Sequence, residues 1–319
     1  MTVLVTGGTG YIGSAVVDAL AGRGENVLVI DNLSRSTRPE FPPGVEFESL
    51  DVGDAGGVEQ LVNRHGIESC VHLAALIAVG ESVSNPGLYI DNNVVQSAHL
   101  LRVLARSGVS RVVFSSSAAV YGNASTTPID ETEPTEPTSP YGWTKLVTEQ
   151  MLEMHDRADG LRSVSLRYFN AAGSTARRVE RHTPATHLVP LAVRAATEPD
   201  GRLTVFGDDY PTRDGTAVRD YIHIVDLTEA HLLALDYLRA GGETTVVNLG
   251  AGVGHSVLEV VAAVEQVLGC RVPYERGPRR AGDPAELVAS TQRARRLLGW
   301  APSHSTLAEI VSSLAAHAR

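Results

Sequence analysis

The chain has 319 residues, of which 43% are hydrophobic and 20% charged, and it carries a formal net charge of −10. This is ordinary composition for a globular protein, and its acidic balance excludes the basic face that non-specific nucleic-acid binding needs, although a local basic pocket stays compatible with it. No stretch approaches the roughly 18 apolar residues of a membrane span, and the N-terminus has no signal-peptide layout. We therefore expect a cytoplasmic protein of one large domain or two coupled ones, with neither nucleic acid nor membrane as a partner.

The first half of the chain alternates predicted strands and helices. Short β-rich runs indicate the strands, and apolar residues at helical spacing indicate the helices between them. The predicted strands cover 2–6, 27–31, 45–50, 68–74 and 111–116, and the predicted helices cover 11–23, 56–66 and 91–107. This alternation is typical of parallel βαβ units in a doubly wound α/β sheet.

The second half is less regular. Residues 123–140 combine prolines with acidic side chains, and we expect a loop with a solvated acidic surface there. A helix over 140–157 and a strand over 163–169 are predicted next, and beyond residue 172 the alternation weakens. The sequence thus predicts a Rossmann-type domain over 1–172 and a smaller mixed α/β domain over 173–319, from which some segments return to the first.

The two cysteines, Cys70 and Cys270, lie far apart in the sequence. Cys70 belongs to an apolar run that is typical of a strand. We expect both thiols to be reduced and structural. No spacing typical of a metal site occurs, and no metal is predicted.

A glycine-rich stretch joins the first predicted strand to the first predicted helix. Gly7, Gly10 and Gly13 have the spacing G-x-x-G-x-x-G and open an amphipathic helix. Glycine permits a tight turn and a close approach of the backbone to a pyrophosphate, and the helix N-terminus supplies N–H groups and a favourable dipole. A strand before the glycines and a helix after them predict a dinucleotide-binding site.

Acidic side chains end the next two predicted strands. Asp31, which lies 18 residues after Gly13, can accept hydrogen bonds from an adenosine ribose and would repel the 2′-phosphate of NADP. NAD is therefore the predicted cofactor, although the nearby Arg35 runs against this preference. Asp51, at the end of the third strand, can meet the adenine amino group.

The only lysine of the chain, Lys145, lies four residues after Tyr141, whereas the other 26 basic residues are arginine. Residues four apart share one face of a helix, which places a phenol beside an ammonium group. A free tyrosine titrates near pH 10, and a nearby cation lowers that pKa. Because the wide guanidinium of arginine is a poor substitute for a compact ammonium group, we predict Tyr141 as a general base and Lys145 as its partner, rather than a solvated helix lysine.

Three successive serines end the predicted strand 111–116 and continue to Ser117. Parallel sheets bind ligands at the carboxyl ends of their strands. A serine here can hydrogen-bond the substrate hydroxyl that Tyr141 deprotonates. Three serines alone are equally typical of a loop, and the glycine stretch and the Tyr–Lys pair favour the catalytic interpretation.

The sequence resembles the extended short-chain dehydrogenase/reductase family, and within it the UDP-glucose (UDP-galactose) 4-epimerases, along nearly its whole length. The motifs that carry the resemblance include VTGGTGYIGS, HLAALIAVGES, FSSSAAVYG, SPYGWTK, LRYFNAAG and DYPTRDGTAVRDYIHIVDL. The resemblance implies Tyr141 as the base, Lys145 as its partner and Ser117 as the hydroxyl-binding serine. It also implies that 173–319 binds a nucleotide sugar, and that helices 91–107 and 140–157 form the interface of a homodimer.

The resemblance further implies two sets of ligand contacts. Contacts with NAD are expected at Gly7, Gly10, Tyr11, Ile12, Gly13, Asp31, Asn32, Asp51, Val52, Leu73, Ala74, Ala75, Asn92, Ser115, Tyr141, Lys145 and Tyr168. Contacts with a UDP-sugar are expected at Ser117, Tyr141, Asn170, His187, Leu188, Phe206, Arg219, Tyr221, Arg280 and Asp283. Two arginines can hold a pyrophosphate through charge-assisted hydrogen bonds, which suits this second set.

Four features depart from the family's usual pattern. Ile77 stands where many relatives have a lysine near the cofactor, so weaker NAD binding is expected. Arg35 replaces a smaller polar residue, and the segment 174–190 lacks the usual acidic, glycine-rich form. Leu287 stands where some bacterial members have a tyrosine that closes the sugar pocket, so N-acetylated sugars are expected to fit.

The implied reaction interconverts UDP-glucose and UDP-galactose through a transient 4-keto sugar and bound NADH. A 4-epimerase of another NDP-hexose (a UDP-N-acetylhexosamine, a uronate or a dTDP-sugar) is the main alternative. A nucleotide-sugar 4,6-dehydratase would need an acid–base pair beside the active serine, whereas Ala118 and Ala119 follow Ser117. A non-catalytic NAD-binding protein would have no use for Ser117, Tyr141 and Lys145 together.

Overall fold

The computed structural model describes residues 2–180, 187–280 and 283–317. Its strands are β1 (Thr2–Thr6), β2 (Asn26–Asp31), β3 (Glu46–Ser49), β4 (Ile67–His72), β5 (Arg111–Ser115), β6 (Arg162–Tyr168), β7 (Asn170–Ala172), β8 (Leu203–Phe206), β9 (Val218–His223), β10 (Thr245–Leu249), β11 (Gly254–Ser256), β12 (Tyr274–Gly277) and β13 (Glu286–Leu287). Its helices are α1 (Tyr11–Gly22), α2 (Ala55–His65), α3 (Val79–Ser84), α4 (Pro86–Tyr89), α5 (Gln96–Arg106), α6 (Pro140–Asp159), α7 (Leu188–Thr197), α8 (Ile224–Arg239), α9 (Val257–Leu268), α10 (Gln292–Leu298) and α11 (Leu307–Ala315).

A seven-stranded parallel sheet organises the larger part of the chain. Its strand order is β10-β6-β5-β4-β1-β2-β3, and every neighbouring pair runs parallel. The order β3-β2-β1-β4-β5-β6 is that of the Rossmann fold, here extended by β10 beyond β6. The predicted fold class is confirmed.

The alternation of side chains in β1 shows why this sheet is covered on both faces. Val3 and Val5 are fully buried in one apolar cluster, which includes residues of α1 and α8. Leu4 points to the opposite face and belongs to a second cluster, with residues of α2 and α5. Because successive strand residues face opposite ways, a run of apolar residues needs helices on both faces, and the βαβ crossovers supply them.

The predicted helix over 91–107 is built in two parts. A π-helical stretch at Ile90–Val95 leads without interruption into α5. The π stretch carries the buried Asn93. Its side-chain oxygen accepts the backbone N–H of Leu76, and its side-chain nitrogen donates to the Leu76 carbonyl. Isolated π turns often occur at functional sites, and this one connects the helix to the segment that follows β4.

The C-terminal part contributes both to the large sheet and to a smaller lobe. The strand β10 lies at the edge of the large sheet, and α8 packs against α1. The lobe contains the small sheet around β9, the parallel pair β8–β12, and an apolar core with residues of α7, α9 and α11. A return of later segments to the first sheet is thus observed, while the domain boundary at 172 stays a prediction.

The acidic loop that precedes α6 is only partly solvated. The side chain of Glu131 is 3% exposed, accepts the backbone N–H of Asn248 at 2.7 Å and lies 3.4 Å from the guanidinium of Arg293. The expected solvated acidic surface is therefore wrong for Glu131, which fastens the loop to β10.

Among the residues that the structure describes, no helix is both long and apolar enough to cross a bilayer.

Candidate active site

The glycine-rich loop lies between β1 and α1 at the carboxyl edge of the sheet. Gly7 has a φ of +69°, and a Cβ atom built on it would lie 2.6 Å from the backbone nitrogen of Ala74. No side chain fits there. Gly10 is the N-cap of α1 and offers no side-chain cap, and the first turn, which contains Tyr11, Ile12 and Gly13, has no acidic residue. The helix N-terminus is thus arranged to receive an anion.

The residues predicted to hold the adenosine lie together at the ends of β2 and β3. The Asp31 carboxylate accepts N–H bonds from Leu33 at 2.9 Å and from Thr9 at 3.2 Å. The side chain of Asn32 donates to Asp51 at 2.7 Å, and Val52 is buried next to it. These contacts fix two carboxylates beside the glycine loop, where a ribose and an adenine could be recognised.

The segment after β4 forms the other side of the loop. Leu73 donates to the carbonyl of Thr6 at 3.1 Å, and Ala74 and Ala75 continue the segment toward the fixed backbone of Leu76. Asn92 donates to Asn93 at 2.8 Å. The predicted cofactor residues of this segment and of the π helix therefore lie on one side of the cleft.

The proposed catalytic residues meet where β5 ends and α6 begins. Tyr141 is 7% exposed, and the Ser117 side chain lies close enough to its phenol to lower the phenol pKa. The Lys145 ammonium donates to the carbonyl of Ser115 at 2.8 Å and lies 5.8 Å from the centre of the Tyr141 ring. A Cβ atom on Gly142 would fall 2.4 Å from the Ala119 carbonyl oxygen, so glycine is needed for α6 to approach the serine segment.

Burial controls the acid–base properties of this pair. It raises the pKa of Tyr141 to about 12, while the hydrogen bond with Ser117 acts in the opposite direction. It lowers the pKa of Lys145 to about 7, against the negative charge of Glu149. The lowered Tyr141 pKa that its spacing from Lys145 predicts is not found in the chain by itself, because burying the phenolate raises that pKa by more than Ser117 lowers it.

A buried polar network lies next to the catalytic residues. Glu149 accepts a 2.5 Å hydrogen bond from Ser116 and pairs with Arg167 at 2.6 Å. Arg167 in turn donates to the hydroxyl of Tyr121 at 3.0 Å, which donates to Asn248 at 2.7 Å. Sequence reasoning missed this network, although Glu149 follows Lys145 by four residues and shares its helix face, a spacing that could have indicated it.

Ser115 and Tyr168 lie beside the catalytic pair. The hydroxyl of Ser115 is 2.9 Å from Nε2 of His231, a buried histidine whose Nδ1 lies 2.8 Å from the carbonyl of Leu227. Burial and the neighbouring Tyr141 raise the pKa of Tyr168. The side chain of Ser115 therefore has a partner within the chain, and its carbonyl positions Lys145.

Most of the residues predicted to bind the nucleotide lie in the C-terminal lobe. Arg219 and Asp283 form an ion pair of 2.6 Å, and the buried Tyr221 lies close enough to feel both charges. The guanidinium of Arg280 stacks over the ring of Phe206, 4.1 Å from its centre. The lobe thus carries two cations and a carboxylate, the groups that recognition of a pyrophosphate and a ribose needs.

The other predicted substrate residues lie on two neighbouring elements. Asn170, in β7, donates to the carbonyl of Asp220 at 2.8 Å. Leu188 begins α7, and His187 is its N-cap. Burial opposes the protonation of His187, but its ion pair with Glu180 raises its pKa overall. Residues 181–186 of the unusual segment 174–190 lie outside the described residues.

Two departures from the family pattern lie beside residues that are predicted to bind ligands. Ile77 is 39% exposed in the segment after β4. Leu287 pairs with Arg219 across the small sheet and packs on an apolar cluster that includes Phe169.

Within the described ranges, no group of three or more His, Cys, Asp or Glu side chains is arranged to hold a metal ion.

The site fits a dinucleotide on its own geometry. The tight turn at Gly7, packed on the backbone of Ala74, and the uncapped N-terminus of α1 suit a pyrophosphate. The carboxylates of Asp31 and Asp51 suit the adenosine. Tyr141 and Lys145 lie along the same edge of the sheet, where the reactive end of such a cofactor would have to meet its substrate.

Comparisons with known proteins agree with this geometry. Residues 3–250 match the NAD dependent epimerase/dehydratase family. The UDP-glucose 4-epimerase of Azospirillum brasilense is 48% identical over 313 residues, which cover 98% of this chain and 90% of that protein.

Solved structures show the same similarity in three dimensions. The crystal structure of UDP-glucose 4-epimerase from Brucella ovis in complex with NAD has a TM-score of 0.95 at 41% identity, covering 99% of this chain and 98% of the other. The UDP-glucose 4-epimerase of Stenotrophomonas maltophila, with bound NAD and formylated UDP-arabinopyranose, also has a TM-score of 0.95, at 40% identity, with 100% and 98% of the two chains covered. The chain therefore belongs to the NAD dependent epimerase/dehydratase family, within which it is similar to the UDP-glucose 4-epimerases.

Proposed function

We propose that this chain interconverts UDP-glucose and UDP-galactose by inverting C4 of the sugar, with NAD retained in the site. The observation that carries the proposal is the meeting of Tyr141, Lys145 and Ser117 at the end of β5, beside the glycine loop. The ion pair of Arg219 with Asp283 supplies the nucleotide-binding counterpart. The relatives reported above are named for the same reaction.

In this proposal, Tyr141 holds the proton of the reacting hydroxyl. The phenol is buried beside the Ser117 side chain, so a substrate 4-OH placed between them is within reach of both groups. NAD, when bound, supplies the hydride acceptor and donor for C4 and a positive charge within the same site. Positive charge lowers a phenol pKa, and Tyr141 then takes the proton in one direction and returns it in the other.

The surroundings of Lys145 explain why the only lysine of the sequence occurs at this position. Lys145 is 3% exposed, and its ammonium is held by the Ser115 carbonyl, between the rings of Tyr141 and Phe114. A compact ammonium on a flexible stem fits this narrow space, whereas a planar guanidinium does not. Lys145 thus positions charge against the phenol and can also reach a cofactor hydroxyl.

The lobe residues hold the nucleotide while the sugar changes face. Arg219 and Arg280 would hold the pyrophosphate through charge-assisted bonds, and Asp283 would accept from a uridine ribose hydroxyl. Because these residues hold only the nucleotide, the keto sugar is free to turn about its link to the pyrophosphate. Both faces of C4 are then presented to the same Tyr141.

The test is direct turnover. The purified protein is incubated with UDP-galactose without added NAD, and UDP-glucose is followed with a coupled UDP-glucose dehydrogenase. Conversion without added NAD supports an epimerase that retains its cofactor. No conversion, repeated after NAD is added, contradicts the proposed substrate.

A broader sugar specificity has a specific observation in its favour. Leu287 lies opposite Arg219 in the small sheet. Because leucine is smaller than the tyrosine of some bacterial members, it leaves room beside the nucleotide site. We expect UDP-N-acetylglucosamine to be converted as well, and the Leu287→Tyr variant to lose that conversion while it keeps UDP-galactose turnover. Equal loss on both sugars would contradict a role of Leu287 in sugar selection.

We also propose a homodimer. The apolar side chains of Val95, Trp143 and Met154 are 42%, 44% and 65% exposed on the π stretch and α6, which pack against each other. A second copy would cover them, since exposed apolar surfaces of this kind often mark interfaces. Sedimentation of Trp143→Glu/Met154→Glu should show monomers where the native chain shows dimers, and an unchanged dimer would contradict this interface.

The proposed compartment is the cytoplasm. Cys70 and Cys270 are both free thiols, the first buried and the second exposed. An exposed free thiol suits a reducing compartment. Fractionation of cells that produce the tagged chain tests this proposal, and recovery outside the cytoplasmic fraction would contradict it.

A further inference from the structure

Three connections surround the predicted pyrophosphate site at the carboxyl edge of the large sheet. They are the glycine loop 7–10 after β1, the loop 32–45 after β2, and the segment 73–78 that joins β4 to α3. The strand order β2-β1-β4 places the glycine loop between the other two. Any contact that joins the outer two connections must therefore cross in front of the glycine loop.

Part-buried contacts fasten the glycine loop to the residues at and after the end of β2, and fasten the end of β1 to the segment after β4. On one side, Thr9 donates its N–H to Asp31 at 3.2 Å, and its hydroxyl lies 2.5 Å from that of Ser36. On the other side, the N–H of Ala74 points to the hydroxyl of Thr6 at 3.4 Å. These three contacts leave the outer connections unjoined at the front of the site.

The ion pair between Arg35 and Glu81 joins the loop after β2 to α3, the helix to which segment 73–78 leads. Its N–O distance is 2.7 Å, and the side chains are 53% and 35% exposed. Arg35 lies in the loop after β2, and Glu81 lies in α3. With this pair, the three connections form a closed ring around the mouth of the predicted cofactor site.

The two ends of the pair differ in their support. The second oxygen of Glu81 accepts a hydrogen bond of 3.0 Å from Tyr89, whose side chain is fully buried. The next residue, Ser82, accepts the N–H of Tyr141 at 3.2 Å, which joins α3 to the first turn of the catalytic helix. Glu81 is thus fixed to the catalytic region, whereas Arg35 lies on an exposed loop.

We propose that Arg35 and Glu81 together retain the dinucleotide, and that the site opens by movement of the Arg35 loop away from a fixed Glu81. This inference rests on the proposed binding of NAD in this site. Of the four contacts in the ring, this pair is the one made by the most exposed side chains. It therefore separates with the least loss of buried structure, and its separation sets how fast the cofactor leaves.

The experiment measures cofactor release rather than turnover. The protein is loaded with radiolabelled NAD, mixed with excess unlabelled NAD, and the retained label is followed over time. The variants are Arg35→Gln, Glu81→Gln, the double variant, and the exchange Arg35→Glu/Glu81→Arg. Arg23→Gln is the matched control, because Arg23 forms an ion pair of 2.7 Å with Asp236, at similar exposure and away from this cleft.

We expect each single variant to release NAD roughly two- to fivefold faster, the range that one exposed ion pair supports. The double variant should be no faster than either single one, since both remove the same interaction. The exchanged pair should slow release toward the native rate, and Arg23→Gln should leave it unchanged. Molar salt should accelerate release from the native chain but not from the variants.

Three outcomes would overturn the inference. Native release rates in both single variants would show that the pair does not retain the cofactor. A double variant faster than both single ones would show that the two side chains act separately. A native chain that binds no labelled NAD at all would overturn the proposed function together with this inference, which distinguishes that failure from the first two.

Discussion

Charged side chains are more deeply buried at the catalytic edge of the large sheet than in the nucleotide-binding lobe. At the catalytic edge, the side chains of Glu149 and Arg167 are 4% and 6% exposed and are bonded to partners within the chain. In the lobe, the side chain of Asp283 is 32% exposed, and its partner Arg219 is 13% exposed. One region has its charges fixed before any ligand arrives, and the other has them within reach of solvent.

This difference matches two kinds of task. Groups that act on a transition state work best when the protein holds them in place, because nothing then has to reorganise during the reaction. Groups that hold a mobile nucleotide must release it again, and an ion pair such as Arg219–Asp283 can exchange its partner for a phosphate or a ribose. We therefore expect substitutions at the edge to affect rate or folding, and substitutions in the lobe to affect binding.

The largest expected effect is that of Tyr141→Phe. This change removes the proton-accepting hydroxyl and little volume, and it should lower kcat by about 10³-fold or more, with Lys145→Met lowering it to a similar extent. Steady-state kinetics with UDP-galactose provide the measurement, and circular dichroism should show a native fold. Tyr274→Phe, at an exposed tyrosine, is the control. Turnover within tenfold of native in Tyr141→Phe would contradict its role as base.

Glu149→Gln should mainly affect folding. It leaves the guanidinium of Arg167 buried without its carboxylate, which typically costs about 3–5 kcal/mol in the free energy of unfolding. Urea unfolding measures the loss. The matched control is Glu198→Gln, in the exposed pair with Arg194, where we expect no measurable change. A loss as small as that of the control would mean that the edge is no more fixed than the surface.

Arg219→Gln should mainly affect binding. Loss of one charge-assisted contact with the nucleotide should raise KM for UDP-galactose by roughly 10- to 100-fold and leave kcat within a few-fold of native. Arg202→Gln, in an exposed ion pair with Glu275, is the control. A fall in kcat with KM unchanged would show that the lobe takes part in the chemistry, and the division between the two regions would fail.

The smallest effect concerns the pH dependence of stability. The pKa of Lys145 is about 7 in the fold, against 10.5 ordinarily. Between these values the unfolded chain binds one more proton, so the free energy of unfolding rises with pH, by at most about 1.4 kcal/mol per pH unit. The difference in unfolding free energy between the native chain and Lys145→Met should therefore grow from pH 7 to pH 9. A difference independent of pH would contradict the burial of this ammonium.

The sequence predicted most of the fold because the signals for it are local. The run TVLVT followed by glycines and an apolar helix face specifies the first strand and helix of a βαβ unit within some twenty residues. The site residues Tyr141 and Lys145 were found in the same way, since their spacing of four places them on one helix face.

What the sequence did not predict depends on distant partners. Glu131 lies in an acidic loop, and only the fold shows that it meets Asn248, which is 117 residues away. The pKa of Tyr141 depends on how deeply the phenol is buried, which no neighbouring residue reveals. The pairing of Arg35 with Glu81 likewise joins two connections that only the strand order brings together.

The most direct test of the account follows the hydrogen on C4. UDP-galactose with deuterium at C4 is converted by the native chain in ordinary water, and the UDP-glucose formed is analysed by NMR. We predict that the product keeps deuterium at C4, because this hydrogen leaves and returns within the closed site while only the hydroxyl proton passes through Tyr141. Loss of the deuterium to water would contradict the proposed reaction.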